Sequence, residues 1–261
     1  MIQRLREEKF SLVLSGGGAL GISHLGLLSD LEKFLITPQE IVGTSMGGII
    51  GACMAIGMRE SEINQKINDF VHIYNWVSFS FSGNAIIDNR KIATIFDTIF
   101  QDKKMSDTVV PLKLITTNLL TGEKRVITSE DDLYIKDAVL ATMAIPGVFT
   151  EHIIDGDILG DGFLCENLGI NEAIHPLVLA VDVLGENSFE NEIRGDKLFK
   201  TSNVLGMFER SMRLLIYNQT KTHIKNSHKE ISLLQPHTKG YKTFDFHKAK
   251  EIRALGLGLL E

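Results

Sequence analysis

The fold class follows from the segment Glu40-Ile41-Val42-Gly43-Thr44-Ser45-Met46-Gly47, in which a short apolar strand pattern meets a serine between two glycines. Residues 48–56 are apolar and continue the segment as a predicted buried helix. This spacing predicts a sharp turn that holds Ser45 in strained backbone geometry. Gly43 and Gly47 are needed because larger side chains would collide where the chain reverses. The segment predicts an α/β fold with a nucleophilic serine at a helix N-terminus, where the helix dipole favours negative charge.

A glycine loop near the N-terminus is the second informative feature. The apolar, strand-like run Phe10–Leu14 leads into Ser15-Gly16-Gly17-Gly18-Ala19-Leu20-Gly21, and the pattern becomes helical from Ile22. A strand, a glycine loop and a helix place several free backbone N–H groups in one concavity that can hold an anion. Three interpretations are open: a phosphate cradle for a nucleotide, an oxyanion hole for acyl transfer, or a tight turn that merely needs glycine.

The nucleotide interpretation is weakened by missing residues. A Walker loop would end in Gly-Lys-Ser/Thr, and this chain has Gly21-Ile22-Ser23 without a lysine. The glycines at 16, 18 and 21 match a dinucleotide loop, but the expected acidic residue, Glu40, precedes its predicted strand instead of following it. Acyl chemistry accounts for both the glycine loop and Ser45, so a nucleotide-binding module ranks last.

A serine nucleophile needs a base, and no histidine of this chain lies in a strongly punctuated motif. The eight histidines are His24, His72, His152, His175, His223, His228, His237 and His247. His24 falls on the predicted first helix and is expected to pack or to cap it, whereas His223 and His228 are expected to be solvated on a polar helix. His247, near the C-terminus, is the alternative base, because a triad histidine of an α/β-hydrolase lies there.

An aspartate is the better candidate for the base. Residues 155–163 carry three aspartates among glycines and follow the apolar segment 144–149, which contains a proline. Asp155 and Asp157 are interpreted as turn residues, because Asp-Gly pairs are common in turns. Asp161-Gly162 stands out, since Glu166-Asn167-Leu168-Gly169 follows it at the spacing of a loop.

With these motifs in order, the chain resembles the patatin-like phospholipases, a family of serine acyl hydrolases. The matching motifs are the glycine loop at 16–21 with the helix start at 24–28, the elbow at 43–48, the strand and turn at 111–122, and the segment 144–149 that leads to Asp161-Gly162 and Asn167. The resemblance covers residues 10–185 approximately, and several ordered motifs carry it.

The resemblance implies a three-layer α/β sandwich with a mostly parallel central sheet and helices on both faces, which the alternating strand and helix patterns also favour. It implies a Ser–Asp dyad in which Ser45 is the nucleophile and Asp161 the base. The glycines that it assigns to the site are those of the oxyanion hole (Gly16, Gly17 and Gly18), of the elbow (Gly43 and Gly47) and of the aspartate motif (Gly162). The implied activity is hydrolysis of lipid acyl esters, as by a phospholipase A or lysophospholipase, through an acyl-enzyme without a metal or organic cofactor.

Two positions depart from the family pattern. Leu20 stands where the family usually has arginine or lysine, which removes a cation expected at the mouth of the site and puts a preference for anionic head groups in doubt. Phe163 follows Gly162 where the family usually has glycine or alanine, and this ring is expected to narrow the site or to close over an acyl chain.

Composition and charge indicate the number of domains, the location and the class of partner. With 261 residues and 44% apolar content, we expect one domain over residues 1–261, with a core at about 10–185 and C-terminal helix and strand elements at 200–261. Two cysteines, Cys53 and Cys165, do not make a disulfide framework, and the first eight residues hold no apolar stretch of signal-peptide length, so a cytoplasmic location is expected. The net charge of −6 argues against nucleic acid as a partner. Residues 41–58 lack charge but contain the elbow, so we expect packing there and not a membrane span.

A predicted helix at about 203–228 leaves a choice between a core-packed and a membrane-binding element. Its apolar face consists of Val204, Phe208, Met212 and Leu215. Its basic residues are Arg210, Arg213, Lys221 and Lys225, and Lys229 follows directly after the helix. Packing on the core with a solvated back is the ordinary expectation, and peripheral docking on lipid is the alternative. Residues 185–196 are expected to form a surface loop beside the site, and residues 79–83 to line an acyl channel or to cover the sheet edge.

Two further functions stay open beside lipid ester hydrolysis. One is an esterase or thioesterase that acts on soluble acyl substrates, which the same site could support. The other is a catalytically silent protein that binds acyl lipids. The sequence does not determine the oligomeric state.

Overall fold

The computed structural model describes residues 1–78, 89–149, 152–189 and 204–261. The helices are α1 (Ile2–Glu7), α2 (His24–Lys33), α3 (Ser45–Ala55), α4 (Glu60–Ser78), α5 (Asn89–Phe100), α6 (Ile135–Thr142), α7 (Val204–Asn226) and α8 (Ala249–Ala254). The strands are β1 (Phe10–Leu14), β2 (Glu40–Thr44), β3 (Leu112–Asn118), β4 (Lys124–Ile127), β5 (His152–Ile154), β6 (Asp157–Asp161), β7 (Leu177–Val181) and β8 (Glu230–Leu234). The predicted aromatic loop at 79–83 and residues 190–196 of the predicted surface loop lie outside the described residues.

The described strands form one mixed, mostly parallel sheet in the order β5-β6-β3-β2-β1-β7-β8, and β4 pairs with β3. β3, β2, β1, β7 and β8 run parallel to one another, whereas β4 and β6 pair with β3, and β5 with β6, in antiparallel fashion. The predicted α/β fold with a mostly parallel sheet is confirmed. β8 was foreseen only as part of the C-terminal helix and strand elements.

Apolar side chains fill both faces of the sheet. Every residue of β1, β2 and β7 is buried, as expected for central parallel strands covered on both sides. Alternate residues face opposite ways, so Leu12 and Leu14 join the larger core beneath α2, α3 and α6, whereas Val13 packs in a smaller cluster on the other face. Ile224 of α7 contacts that smaller cluster, which places helices on both faces of the sheet as predicted.

Residues 41–58 divide into β2 and the helix α3, which packs against the sheet. Within the described part of the chain, no helix has the length and apolar content that crossing a membrane requires. The expectation that this uncharged stretch is a packed element is therefore met.

Candidate active site

The sheet brings Ser45 and Asp161 together at a gap along one edge of β3. β2 pairs with β3 up to Thr44↔Ile115, and β6 pairs with it from Asp161↔Thr116 onward. β4 overlaps both stretches and therefore occupies the opposite edge of β3. β2 and β6 therefore lie one after the other along the same edge of β3. Their last residues, Thr44 and Asp161, pair with consecutive residues of β3. The chain leaves β2 into Ser45 at the point where β6 ends in Asp161.

The backbone at Ser45 has the strain that the elbow motif predicts. Its φ is +52°, in the left-handed region that disfavours residues other than glycine, and it is the first residue of α3. A Cβ on Gly43 would lie 2.6 Å from Cα of Gly48, and a Cβ on Gly47 would collide with the carbonyl oxygen of Leu14. Both glycines are required because backbone atoms occupy the space that a side chain would need.

Thr142, at the end of α6, fixes the turn from the other side. Its hydroxyl accepts a hydrogen bond from the Ser45 amide at 3.1 Å and donates one to the carbonyl oxygen of Ile115 at 2.5 Å. One side chain thereby ties the elbow to β3. Thr142 was not predicted from the sequence, because a threonine 97 positions away from Ser45 carries no local signal.

Asp161 is completely buried beside the serine. Burial raises the pKa of the Asp161 carboxyl from 3.8 to about 7. Hydrogen bonds from the Ser45 hydroxyl and the Phe163 amide lower this pKa, but by less than burial raises it. Oδ1 accepts the Phe163 N–H at 3.0 Å, while Oδ2 has no hydrogen bond of standard geometry among the described residues. The carboxyl is therefore a base of near-neutral pKa with one oxygen available to the serine hydroxyl.

The residues after Asp161 shape the wall of the site. A Cβ on Gly162 would collide with the carbonyl oxygen of Ile115, so the chain can turn this close to β3 only with glycine. Phe163 lines the same cavity as Ser45, where its ring was expected to narrow the site. Leu20, the other departure from the family pattern, is buried with Val183, Leu184 and Ile216 and does not line the cavity.

The glycine loop lies directly against the serine, and its amides differ in their partners. A Cβ on Gly16 would lie 3.0 Å from Cβ of Ser45. The Gly16 N–H donates to the carbonyl oxygen of Asn167 at 3.3 Å, so it is already engaged. The amides of Gly17 and Gly18 donate to no acceptor among the described residues, and both glycines line the cavity. The Gly17 and Gly18 amides are thus without a partner among the described residues, while the Gly16 amide anchors the loop to Asn167.

No histidine whose side chain the structure describes lines the cavity at Ser45. His24 is fully buried, its Nε2 is 2.9 Å from the carbonyl oxygen of Ser15, and burial lowers its pKa to about 4, so it packs beneath the loop as a neutral ring. His247 is exposed and does not line the cavity, which leaves it no role as the base. The expectation of a solvated His223 is wrong, because its Nδ1 lies 3.5 Å from Oε1 of the buried Glu166.

A largely apolar cavity of about 360 Å³ opens at Ser45. Its apolar walls come from Ile145, Pro146, Val148, Phe163, Leu164, Leu184, Phe208, Met212, Ile216 and Phe244, and its other lining residues are Gly17, Gly18, Ser45, Asp161, Asn167, Glu209, Arg213 and Thr243. A second pocket of about 20 Å³ also touches Ser45, and Phe244 borders both. A concave, largely apolar cavity with a few polar groups is typical of a site for a small organic ligand.

The orientation of α7 differs from the prediction. Ile216 and Thr220 face the protein, while Phe208 and Leu215 of the predicted core-facing stripe are 64% and 65% exposed. Arg213 is not solvated either, since its Nη1 and Nη2 donate to the carbonyl oxygens of Tyr241 at 3.2 Å and Ser188 at 2.8 Å. Polar side chains turn inward here because they bond the backbone of neighbouring loops, and apolar ones are left outside.

The acidic residues that a metal or a dinucleotide could use have other partners in the part of the chain that the structure describes. No three histidine, cysteine or acidic side chains cluster there as metal ligands. Asp155 and Asp157 instead pair with Arg125 at 3.1 and 2.8 Å. Glu40 lies at the start of β2, opposite to the glycine loop, where its carboxylate binds Ser11 Oγ at 2.5 Å and Lys113 Nζ at 3.0 Å. It cannot serve as the ribose ligand of a dinucleotide loop.

Comparison with known proteins gives relatives along nearly the whole of this chain. Patatin-like phospholipase domain-containing protein 6 of Mus musculus is 28% identical over 282 positions, which cover 97% of this chain and 20% of that protein. Lysophospholipase NTE1 of Kluyveromyces lactis is 26% identical, over 98% of this chain and 19% of its own length. The chain therefore spans about a fifth of the length of these relatives.

A solved structure and a family model were also found to match. The crystal structure of VipD from Legionella pneumophila superposes with a TM-score of 0.52 at 14% identity, over 97% of this chain and 67% of VipD, which is a likeness of fold. The family model described as patatin-like phospholipase matches residues 12–174, a range that contains the glycine loop, the elbow and the aspartate motif. Since that model matches more than half of the chain, this protein belongs to the patatin-like phospholipase family.

Proposed function

We propose that this chain hydrolyses carboxylic esters of lipids with a Ser45–Asp161 dyad. The observation that carries the proposal is the junction at β3, where a serine with φ of +52° meets a buried aspartate whose pKa is about 7. Two amides without acceptors among the described residues, those of Gly17 and Gly18, lie on the same cavity. A nucleophile, a base and an oxyanion hole are the parts that acyl transfer requires.

The proposed reaction has two half-reactions. The Ser45 Oγ attacks the ester carbonyl carbon while its proton passes to the Asp161 carboxylate, and the amides of Gly17 and Gly18 bind the negative oxygen of the tetrahedral intermediate. Asp161 then returns the proton to the departing alcohol, which leaves an acyl-serine. Water attacks the acyl-serine, Asp161 again takes and returns the proton, and the free acid leaves. A base with a pKa near neutrality is suited to both transfers.

The cavity supports a lipid acyl chain as the substrate group. Its wall is mainly aliphatic and aromatic, and burying a hydrocarbon chain there contributes about 0.8 kcal/mol per methylene. We therefore expect kcat/KM to increase with acyl length in a series of otherwise identical esters. A maximum at acetyl or propionyl esters would instead favour the soluble esterase. Binding of lipid without turnover would favour the silent acyl-lipid-binding protein.

Fluorophosphonate labelling tests the nucleophile directly. We expect the wild-type chain to be labelled on Ser45, as located by mass mapping of the modified peptide, and Ser45→Ala to take no label. The variant deletes one oxygen and should keep the wild-type melting temperature within about 2 °C. A folded wild-type chain that takes no label, or label on another serine, would overturn the proposed function.

A further inference from the structure

Three successive peptide groups of the glycine loop are each held by a different partner. The Gly16 carbonyl oxygen accepts from Asn167 Nδ2 at 3.3 Å, the Gly17 carbonyl oxygen accepts from the Leu20 N–H at 3.2 Å, and the Ala19 N–H donates to the Thr243 carbonyl oxygen at 2.8 Å. The C=O and N–H of a trans peptide point in opposite directions. Fixing these groups therefore fixes where the amides of Gly17 and Gly18 point.

The partner of Ala19 belongs to the connection between β8 and α8. We call residues 241–246 of this connection the brace. Thr243 of the brace packs directly on Gly18, whose φ is +55°, and a Cβ on Gly18 would collide with the Thr243 carbonyl oxygen. Glycine has the largest backbone freedom of any residue, so a run of three keeps a single conformation only when neighbouring groups hold it. Thr243 is such a neighbour from a distant part of the chain.

The brace itself is held by α7. The Thr243 N–H donates a hydrogen bond to Oε1 of Glu209 at 2.7 Å. One turn further along the helix, Arg213 bonds the Tyr241 carbonyl oxygen at 3.2 Å. Glu209, Thr243 and Gly18 all line the cavity that opens at Ser45. A continuous chain of contacts thus leads from Glu209 through Thr243 to the glycine loop.

We propose that Glu209 is a positioning residue of the acyl-transfer site. It holds the Thr243 backbone, which fixes the Gly18–Ala19 peptide and packs on Gly18. Through Gly18 this contact limits rotation of the preceding Gly17–Gly18 peptide, so that the glycine-loop amides stay turned towards the intermediate. The inference rests on the proposed function, because the amides matter to catalysis only if they receive an oxyanion. Preorganised donors of this kind lower the barrier, whereas mobile ones must first be ordered.

Hydrogen exchange tests the contact without reference to catalysis. In Glu209→Ala the Thr243 N–H loses its acceptor, and we expect the amides of a peptide that covers residues 15–20 to exchange at least fivefold faster than in the wild type. Glu209→Gln keeps an acceptor oxygen and should exchange at the wild-type rate. Ser211→Ala, on the exposed side of the same helix, is the control for disturbance of α7. Unchanged exchange in Glu209→Ala would overturn the positioning role.

Kinetics then test the consequence for the reaction. We expect Glu209→Ala to lower kcat and the rate of Ser45 phosphonylation about tenfold, less than the roughly 10²–10³-fold loss from removing one oxyanion donor, with KM within twofold of the wild type. Glu209→Gln should have the wild-type kcat and the wild-type rate of Ser45 phosphonylation. A role that depended only on the charge of Glu209 would not allow this. Faster exchange at residues 15–20 with wild-type kcat would refute the positioning role and leave the proposed function intact. An unlabelled wild-type chain would refute the proposed function itself, whatever the exchange data showed.

Discussion

Asp161 is the residue whose surroundings bear most directly on the pH dependence of the reaction. The proposed base must be ionised to accept the serine proton, and burial places its pKa at about 7. We therefore expect kcat/KM for a neutral ester to increase about tenfold per pH unit below pH 7 and to level off above it. Steady-state rates between pH 5.5 and 8.5 check this. A flat profile over that range, with the chemical step rate-limiting, would contradict the role of Asp161.

Thr142 is a second residue whose effect on the site can be measured. Thr142→Val keeps the shape of the side chain but leaves the buried Ser45 N–H and the Ile115 carbonyl oxygen without this partner. Leaving such groups unpaired costs about 1–3 kcal/mol, so we expect a lower melting temperature and a reduced kcat. Thr142→Ser is the matched control, since it keeps the hydroxyl. If Thr142→Val and Thr142→Ser have equal stability and kcat, the bridge does not support the elbow.

For single residues, the sequence predicts features that depend on neighbours in the chain. It misses contacts between residues that are far apart in the chain. Ser45 was predicted because glycines at short spacing mark a chain reversal. Asp161 was predicted because of the following loop at 166–169 and the family resemblance. The collisions at Gly47 and Gly162 give the physical reason for the glycines of both motifs. Thr142 and Glu209 were not identified, because each acts on a backbone group of another element far along the chain. Neither residue type nor spacing reveals such a contact before the strands and helices are assembled.

Among the elements, α7 shows the limit of periodicity. Both ends of this helix were predicted to within two residues. The side of the helix that is buried was not predicted correctly. A 3.6-residue period tells that a helix has an apolar side, and it does not tell whether that side covers a core or borders an open cavity. Glu209 and Arg213 face inward because backbone groups of the brace and of Ser188 bind them. Leu214 and Leu215 are consequently exposed.

The exposed side of α7 leads to a prediction about lipid surfaces. Phe208 is exposed at the cavity wall, and Leu214 and Leu215 extend the apolar surface away from it. An exposed apolar patch beside basic residues binds bilayers by partial insertion. We expect Leu214→Ser/Leu215→Ser to weaken binding to phosphatidylcholine vesicles at least threefold in a flotation assay, while hydrolysis of a dispersed short-chain ester stays unchanged.

The control for this experiment is an exposed leucine elsewhere. Leu120, in the turn between β3 and β4, is 68% exposed and lies on neither α7 nor the cavity wall. Leu120→Ser should bind vesicles as the wild type does. Equal binding by Leu214→Ser/Leu215→Ser and Leu120→Ser would exclude α7 as the contact with lipid.

For the whole molecule, the buried base has a cost in stability that depends on pH. A carboxyl whose pKa is raised on folding binds more protons in the folded than in the unfolded chain between the two pKa values. For Asp161 these are 3.8 and about 7, so its contribution destabilises the folded state progressively as the pH increases through that window. Each pKa unit between the two values corresponds to about 1.4 kcal/mol. The loss of folding free energy caused by Asp161 above pH 7 is therefore at most about 4 kcal/mol.

Asp161→Asn removes this ionisation while keeping the size of the side chain. We expect the variant to lose turnover yet to unfold at higher denaturant than the wild type at pH 8, with the difference shrinking towards pH 4.5. Other buried groups, such as His24 and Asp182, titrate in both proteins and cancel in the comparison. Urea unfolding of the two proteins at several pH values measures the difference. A constant difference would mean that the Asp161 carboxyl has its solution pKa in the folded protein, and the proposed near-neutral base would then be wrong.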